Sequence, residues 1–484
     1  MRNYFLAIDQ GTTSTRTVLY DSNFTALDQN QIEITQYYPR PGYVEHDAQE
    51  IWDKTFSTVF SLLDKNGLEA SQIISIGITN QRETIVGWDQ KTGKPIGKAI
   101  VWQDKRTTDY CKTLKNQGIE KEVIEKTGLL LDPYFSASKL RWLNDNFRKE
   151  IVNKNILFGT IDTFLLWKLT KGDVYATDVS NAARTSLLNI LTLEWDEDLI
   201  KLFELEKINL PEIKKNADDF GSTTLFGGNI KISGMAGDQQ AALFGQTCFE
   251  SGDIKSTYGT GCFLILNTGN QILRSQNKLL TTIGYKIDQE VVYALEGSIF
   301  IAGALIQWLR DKMKFFLSSP ESEALAKTAN KNSELIIVPS FTGLGAPFWN
   351  PDIKGSFHGI SLDTTQQDII LASLEAIAFQ SKDLIEAIKQ DGAEVNSIKV
   401  DGGMANNDFF VQILSDVLEV SVQRPKNTES TALGAAFFAG IGSGHVKFDE
   451  LLDIWKRDKI FNPEKCYDAK YASYLKALKA SINE

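Results

Sequence analysis

Cysteine and histidine are scarce. The 484 residues hold four cysteines, Cys111, Cys248, Cys262 and Cys466, and three histidines. No two cysteines form a C-x-x-C pair and the histidines stand far apart, which speaks against a disulfide framework and against Cys/His zinc sites. Long apolar runs are missing too. No stretch approaches the ~18 uninterrupted apolar residues of a membrane span, and the run from Tyr4 to Ile8 is too short for a signal-peptide core and stops at Asp9. Nor is there an excess of positive charge. With 51 Lys and Arg against 62 Asp and Glu, the formal net charge is −11, which excludes a general binder of nucleic acid or anionic membrane and leaves any phosphate to be held by local groups. A reduced, soluble, cytoplasmic protein is expected.

What is present is an ordinary globular composition, 42% hydrophobic and 23% charged, in a chain too long for a single core. Two large domains are expected. The pattern is mixed α/β without low-complexity segments. Residues 4 to 9 and 15 to 21 read as strands joined by a tight loop, and 73 to 79 alternates at period two before a turn at 80 to 83 and another strand at 84 to 88. Both pairs are read as hairpins of one N-terminal domain. Helical periodicity covers 366 to 389, with Ile369, Ile370, Leu374, Ile377 and Ala378 on one face, and again 408 to 418.

The stretch IKSTYGTGCFLILNT at 254 to 268 repeats the logic of the opening AIDQGTTSTRTVLYD: strand, small-residue turn, apolar strand. Two such hairpins half a chain apart suggest two related domains, 1–248 and 249–484, joined near the polar link FGQTCFESG. Turns of this kind suit phosphate, because glycine lets the backbone approach closely, consecutive N–H groups form an anion-binding concavity, and hydroxyls add donors. Asp9 cannot serve phosphate directly. Its charge would repel the anion unless Mg²⁺ lies between them, so the turn points to a metal-bound nucleotide. A third element supports this: VDGGMANNDFF at 400 to 410, where a strand ends in Asp401-Gly402-Gly403 and a helix follows. Competing nucleotide motifs fail, since Gly259-Thr260-Gly261 lacks the third glycine of G-x-G-x-x-G and the Gly87 to Lys94 stretch has the wrong spacing for a P-loop.

These three elements resemble the ATPase domains shared by actin, sugar kinases and heat-shock ATPases. Within that group the chain is similar to the FGGY family of carbohydrate kinases, most closely its glycerol-phosphorylating members. The resemblance runs from AIDQGTTSTR through YPRPGYVEHD, GITNQRET, AIVWQDKRT, LDPYFSASK, FGTIDTFLLWKLT, GMAGDQQAALFGQ, PSFTGLGAPFW and DGGMANN to TALGAAFFAG. It implies an α/β fold of two ribonuclease-H-like (actin-like ATPase) domains with a cleft between them. It also implies ATP, Mg²⁺ and glycerol as ligands and a homodimer or homotetramer.

By the same resemblance, Arg82, Glu83, Trp102, Tyr134, Asp238, Gln239 and Phe263 contact the polyol. Their chemistry suits it: a guanidinium fork and a carboxylate for hydroxyls, a phenol, and aromatic faces for the carbons. Asp238 is the expected general base and, with Asp9, the expected metal contact. Thr12, Thr13, Ser14, Arg16 and Thr260 would hold phosphates, and Gly303, Gln307, Gly403, Met404 and Asn407 would lie near the nucleoside. Each has a plainer role open to it. An Arg-Glu pair in a turn is usually a solvated surface pair, Gly303 and Gln307 could serve helix packing, and Asp238 could cap the helix that follows. The arginine that family members inhibited by fructose 1,6-bisphosphate carry has no counterpart in LFGGNIKISG, and no histidine stands where others are activated by phosphorylation. His46 and His358 are expected to pack or hydrogen-bond.

Overall fold

The opening apolar run becomes β1 (Tyr4–Gln10), which folds back antiparallel on β2 (Ser14–Asp21) and is followed by β3 (Ala26–Glu33). The structure is a computed structural model and describes residues 3–153 and 155–483. On its other edge β1 pairs in parallel with the Ile73–Asn80 strand, which pairs in parallel with the Ile230–Gly237 strand. The six-stranded sheet is completed by Ser222–Thr223 beyond Ile230–Gly237. Gln10, Asn80 and Gly237 stand opposite one another. The turns that leave these three strands therefore emerge at one end of the sheet, where ligands bind in open α/β sheets.

The hairpin expected over 73 to 88 does not form. All eight residues of Ile73–Asn80 are buried, and both its edges are occupied by parallel neighbours. No edge remains for Ile85–Asp89, which pairs with Ile156–Thr160 in a separate five-stranded sheet. Between the two strands the chain is redirected at Glu83, whose φ is 60°.

Helix α1 (Ala48–Lys65) covers one face of the six-stranded sheet. Asp47 caps it by accepting from the N–H groups of Gln49 and Glu50. Ile51, Val59, Leu62 and Leu63 are buried, and the hydroxyls of Thr55 and Thr58 meet those of Thr15 and Thr17 at 3.0 and 2.8 Å.

Two compact units partition the chain: Met1–Thr247 with Thr281–Tyr293 and Ser430–Trp455, and Cys248–Leu280 with Ala294–Glu429 and Lys456–Glu484. The division differs from the sequence reading of 1–248 and 249–484, because two later segments group with the first unit. For the second of these the cause is steric. The Ser430–Gly442 helix is built from small residues and lies directly on the backbone of the first unit: a Cβ on Gly77 would stand 2.0 Å from the Ala435 carbonyl oxygen, and one on Gly434 1.8 Å from that of Ala241.

In the second unit, Asp253–Tyr258 and Cys262–Gly269 form an antiparallel hairpin, and Asp253–Tyr258 runs parallel to Ser397–Asp401. Thr257 stands opposite Asp401 there, as Asp9 stands opposite Thr79 in the first unit. The order of pairing in the first sheet is thus repeated. The expected helices are found at Gln366–Gln390, with a Thr365/Asp368 capping box, and at Asp408–Leu418. Of the predicted apolar face of the longer helix, Ile370, Leu374, Ile377 and Ala378 are buried.

Because the atom facing Gly434 is backbone and cannot rotate away, Gly434→Ala should cost about 3 kcal/mol or more. Gly67 has φ 60° but no atom within 4 Å of an added Cβ, so Gly67→Ala should cost only about 1 kcal/mol. Denaturant titration of both variants measures this, and equal losses would contradict the steric account.

Candidate functional site

The register of β1 on β2 sets Asp9 directly across from Arg16, and the two side chains form an ion pair at 2.7 Å. The connecting turn carries Thr12 and Ser14, both half-buried, and the exposed Thr13. From the turn a contact leads inward, since Trp102 donates its indole N–H to Thr12 Oγ1 at 2.9 Å. The Trp102 ring meets Tyr134 edge-on, with centroids 5.7 Å apart.

At the end of the Ile73–Asn80 strand, Arg82 and Glu83 are 3% and 1% exposed. They are not a solvated surface pair. Arg82 Nε lies 3.1 Å from Asp238 Oδ1 and its NH1 donates to Gln240 Oε1 at 3.2 Å. Glu83 Oε1 takes Arg184 Nε at 2.6 Å. Negative and positive charges therefore alternate through Asp238, Arg82, Glu83 and Arg184, which is how buried charges are tolerated. Arg184 also lies 5.8 Å from the centre of the Tyr134 ring. The first unit thus brings Arg82, Glu83, Trp102, Tyr134, Asp238 and Gln239 into one connected set beside the Thr12 turn.

Asp238 does not occupy the helix cap. Gly237 is the N-cap residue of the Asp238–Gly245 helix, and Asp238 is the first helical residue, its Oδ1 accepting from Gln239 N at 2.7 Å. An added Cβ on Gly237 would come within 2.7 Å of the Arg82 side chain, so the glycine there admits the guanidinium. Behind the turn, Asn80 and Asn181 exchange two side-chain hydrogen bonds at 3.0 and 2.9 Å, and Gly237 N donates to Ser180 Oγ at 3.0 Å. Ser180 and Asn181 also bond Asp178, whose carboxyl is pushed up to about 7 by burial and by the charge of Asp162.

The second unit assembles its own turn. Gly303 N donates to the Gly259 carbonyl at 2.9 Å, while Ala302 and Ala304 N both reach the Thr260 carbonyl at 3.0 Å. A Cβ on Gly303 would stand 2.5 Å from the Gly259 oxygen and 3.6 Å from Met404 Cγ. Packing therefore accounts for the glycine at 303, whereas Gln307, one turn later, is exposed. Gly402 turns the chain with φ 84°, Gly403 presents an open face, and Asn407 caps the next helix by accepting from Phe410 N at 2.9 Å. Phe263 lies on the hairpin of this unit, half-buried.

Among the described residues no three His, Cys, Asp or Glu side chains gather to form an all-protein cation site. Mg²⁺ held mainly by phosphates and water needs only one or two carboxylates. Asp9 and Asp238 fit that demand, with side chains 14% and 30% exposed, one next to the end of β1 and the other at the start of the helix that follows Ile230–Gly237, at the same end of the sheet.

The N-terminal and C-terminal domain models of the FGGY family of carbohydrate kinases match residues 4–245 and 254–443. The chain belongs to this family. It is 51% identical to a glycerol kinase of Marinomonas sp. (strain MWYL1) over 96% of this chain and 95% of that protein. Its structure resembles that of a Plasmodium falciparum glycerol kinase with ADP, with 35% identity, a TM-score of 0.92 and coverage of 99% of this chain and 98% of that one. A xylulose kinase from Lactobacillus acidophilus shares the fold at 24% identity and a TM-score of 0.87, covering 99% and 97% of the two chains. The FGGY fold is therefore common to kinases of different substrates, and the side chains at the turns must distinguish them.

Arg184 and Lys139 are absent from the residues picked out by sequence reading. Arg184 stands in Asn181-Ala182-Ala183-Arg184-Thr185, a lone charge among small residues. Asp238 likewise follows the small residues Gly234, Ala236 and Gly237. Removing Arg184 strands a buried carboxylate, so Arg184→Met should destabilise the fold by about 3 to 5 kcal/mol. Adding Glu83→Gln should recover more than half of the loss, as measured by chemical denaturation. A double variant no more stable than the single one would contradict the pairing.

Proposed function

We propose that the chain transfers the γ-phosphoryl group of ATP to glycerol, forming sn-glycerol 3-phosphate. The observation that carries this reading is the set Arg82, Glu83, Tyr134 and Asp238, in which the buried Arg82 pairs with the partly exposed Asp238 at 3.1 Å and the buried Glu83 with Arg184 at 2.6 Å, beside a hydroxyl-rich turn. A chaperone or filament ATPase on the same scaffold needs no such polyol-binding group. Identity of 51% to a glycerol kinase along nearly the whole chain supports the choice of glycerol among polyols.

In this reading Arg82 and Glu83 hold two hydroxyls, Tyr134 a third contact, and Trp102 and Phe263 the carbon faces. Asp238 accepts the proton of the terminal hydroxyl while Gln239 completes its shell. Thr12, Thr13, Ser14, Arg16 and Thr260 hold the phosphates, and Gly303, Gln307, Gly403, Met404 and Asn407 lie near the nucleoside. Asp9 and Asp238 would hold Mg²⁺ through water, and the ion would supply charge that neutralises the phosphates. A loose phosphoryl-transfer transition state asks the protein mainly for positioning and charge stabilisation. A cytoplasmic location and a homodimeric or homotetrameric state belong to the same proposal.

With Mg-ATP, purified protein should release ADP far faster on addition of glycerol than of erythritol, xylulose or dihydroxyacetone. Equal release without any polyol would defeat the proposal. Asp238→Asn keeps the size and hydrogen-bonding capacity of the side chain but not its basicity, so kcat should fall about 10²- to 10⁴-fold. Glycerol affinity should stay within about tenfold. Near-normal turnover with unchanged melting temperature would remove Asp238 from the catalytic role.

A further inference from the structure

Glu83 combines two features that an ordinary surface turn does not: it is buried, and its φ of 60° is one that L side chains seldom adopt. Its carbonyl accepts from Ser136 Oγ at 3.0 Å and from Lys139 Nζ at 3.3 Å. Lys139 Nζ also donates to the carbonyl of Tyr134, in a short contact, and to that of Phe135 at 3.4 Å. An ammonium has three donors and no acceptor, and here three carbonyls receive them. The lysine is wholly buried. Burying a charge is costly, and an apolar side chain of similar volume often stabilises a fold as well or better, so core packing gives no reason for lysine at this position.

We infer that Lys139 is a positioning residue that fixes the left-handed Glu83 and the main chain of Tyr134 relative to one another, and so sets the geometry with which both meet the polyol hydroxyls. The inference rests on the proposed reading of the polyol site. Lys139 touches neither substrate nor reacting atoms; it acts through the two residues it joins. The ionisable groups facing it are the carboxylates of Glu83, Asp104 and Asp132 and the thiol of Cys111, with Arg184 on the far side of Glu83. Burial lowers the ammonium to about 8 and raises the Cys111 thiol to about 11. As the pH rises through about 8 the lysine progressively loses its charge and one donor.

The test compares glycerol and ATP kinetics of the wild type and Lys139→Met at pH 7, and follows the wild type from pH 7 to 9.5. The variant should raise the KM for glycerol about ten- to hundredfold, with kcat changed less than about threefold and the KM for ATP unaltered. In the wild type the glycerol KM should climb through pH 8 while that for ATP stays level. A lower melting temperature with an unchanged glycerol KM would make Lys139 merely structural and overturn the inference. Should the variant fail to fold, a level glycerol KM in the wild-type pH series overturns it equally. Glu83→Gln separates the two readings. If it raises the glycerol KM and Lys139→Met does not, only the clamp falls; if neither does, the polyol site falls with it.

Discussion

Everything at the candidate site depends on the register of three parallel strands. Gln10, Asn80 and Gly237 lie opposite one another across the first sheet, so the turns bearing Thr12, Arg82 and Asp238 leave at the same level. A shift of one residue in any of these pairings would turn every side chain of that strand to the other face. The register is held by burial, since Ile73–Asn80 has no exposed residue, and by the Asn80–Asn181 and Gly237–Ser180 hydrogen bonds behind the turns. The chemistry of the site is thus specified by apolar packing several residues away from it.

Much of this arrangement was legible in the sequence where the signal is local. The two phosphate-type hairpins, the long amphipathic helix at Gln366–Gln390 and the helix after Asn407 all follow from periodicity and turn residues. Pairing partners are a different matter. Alternation in 73 to 88 identifies two strands but does not say which edge each will meet, and the inner strand was already claimed on both sides. Burial of Arg82 and Glu83 was likewise illegible, because a charged pair in a turn looks the same whether water or Arg184 completes it. Lys139 and Arg184 lie about 50 to 100 residues from the Glu83 that they serve, and only the fold brings them together.

The second unit repeats the first in its strand order around the hairpin but not in its side chains. Where the first turn is flanked by the Asp9–Arg16 ion pair, the second is closed by backbone bonds from Ala302, Gly303 and Ala304 to Gly259 and Thr260. One scaffold thus presents a charged turn and an uncharged one.

The helix at Ser430–Gly442 has a consequence for how the protein is made. Its backbone fits against Gly77 and Ala241 so closely that nothing larger than glycine is tolerated at Gly77 and Gly434, yet it is synthesised after almost all the rest of the chain. At ribosomal rates of about 5 to 20 residues per second, roughly 10 to 40 s separate the synthesis of Ile230–Gly237, the last strand of the first sheet, from that of this helix. Through that interval the first sheet has α1 on one face but lacks the helix that covers its glycine-lined surface. The N-terminal unit is therefore the first to begin folding and among the last to finish. Contacts of such long sequence separation are also the slowest to form, so a nascent chain of this protein offers chaperones a long-lived apolar surface on its N-terminal unit rather than on the segment just emerging.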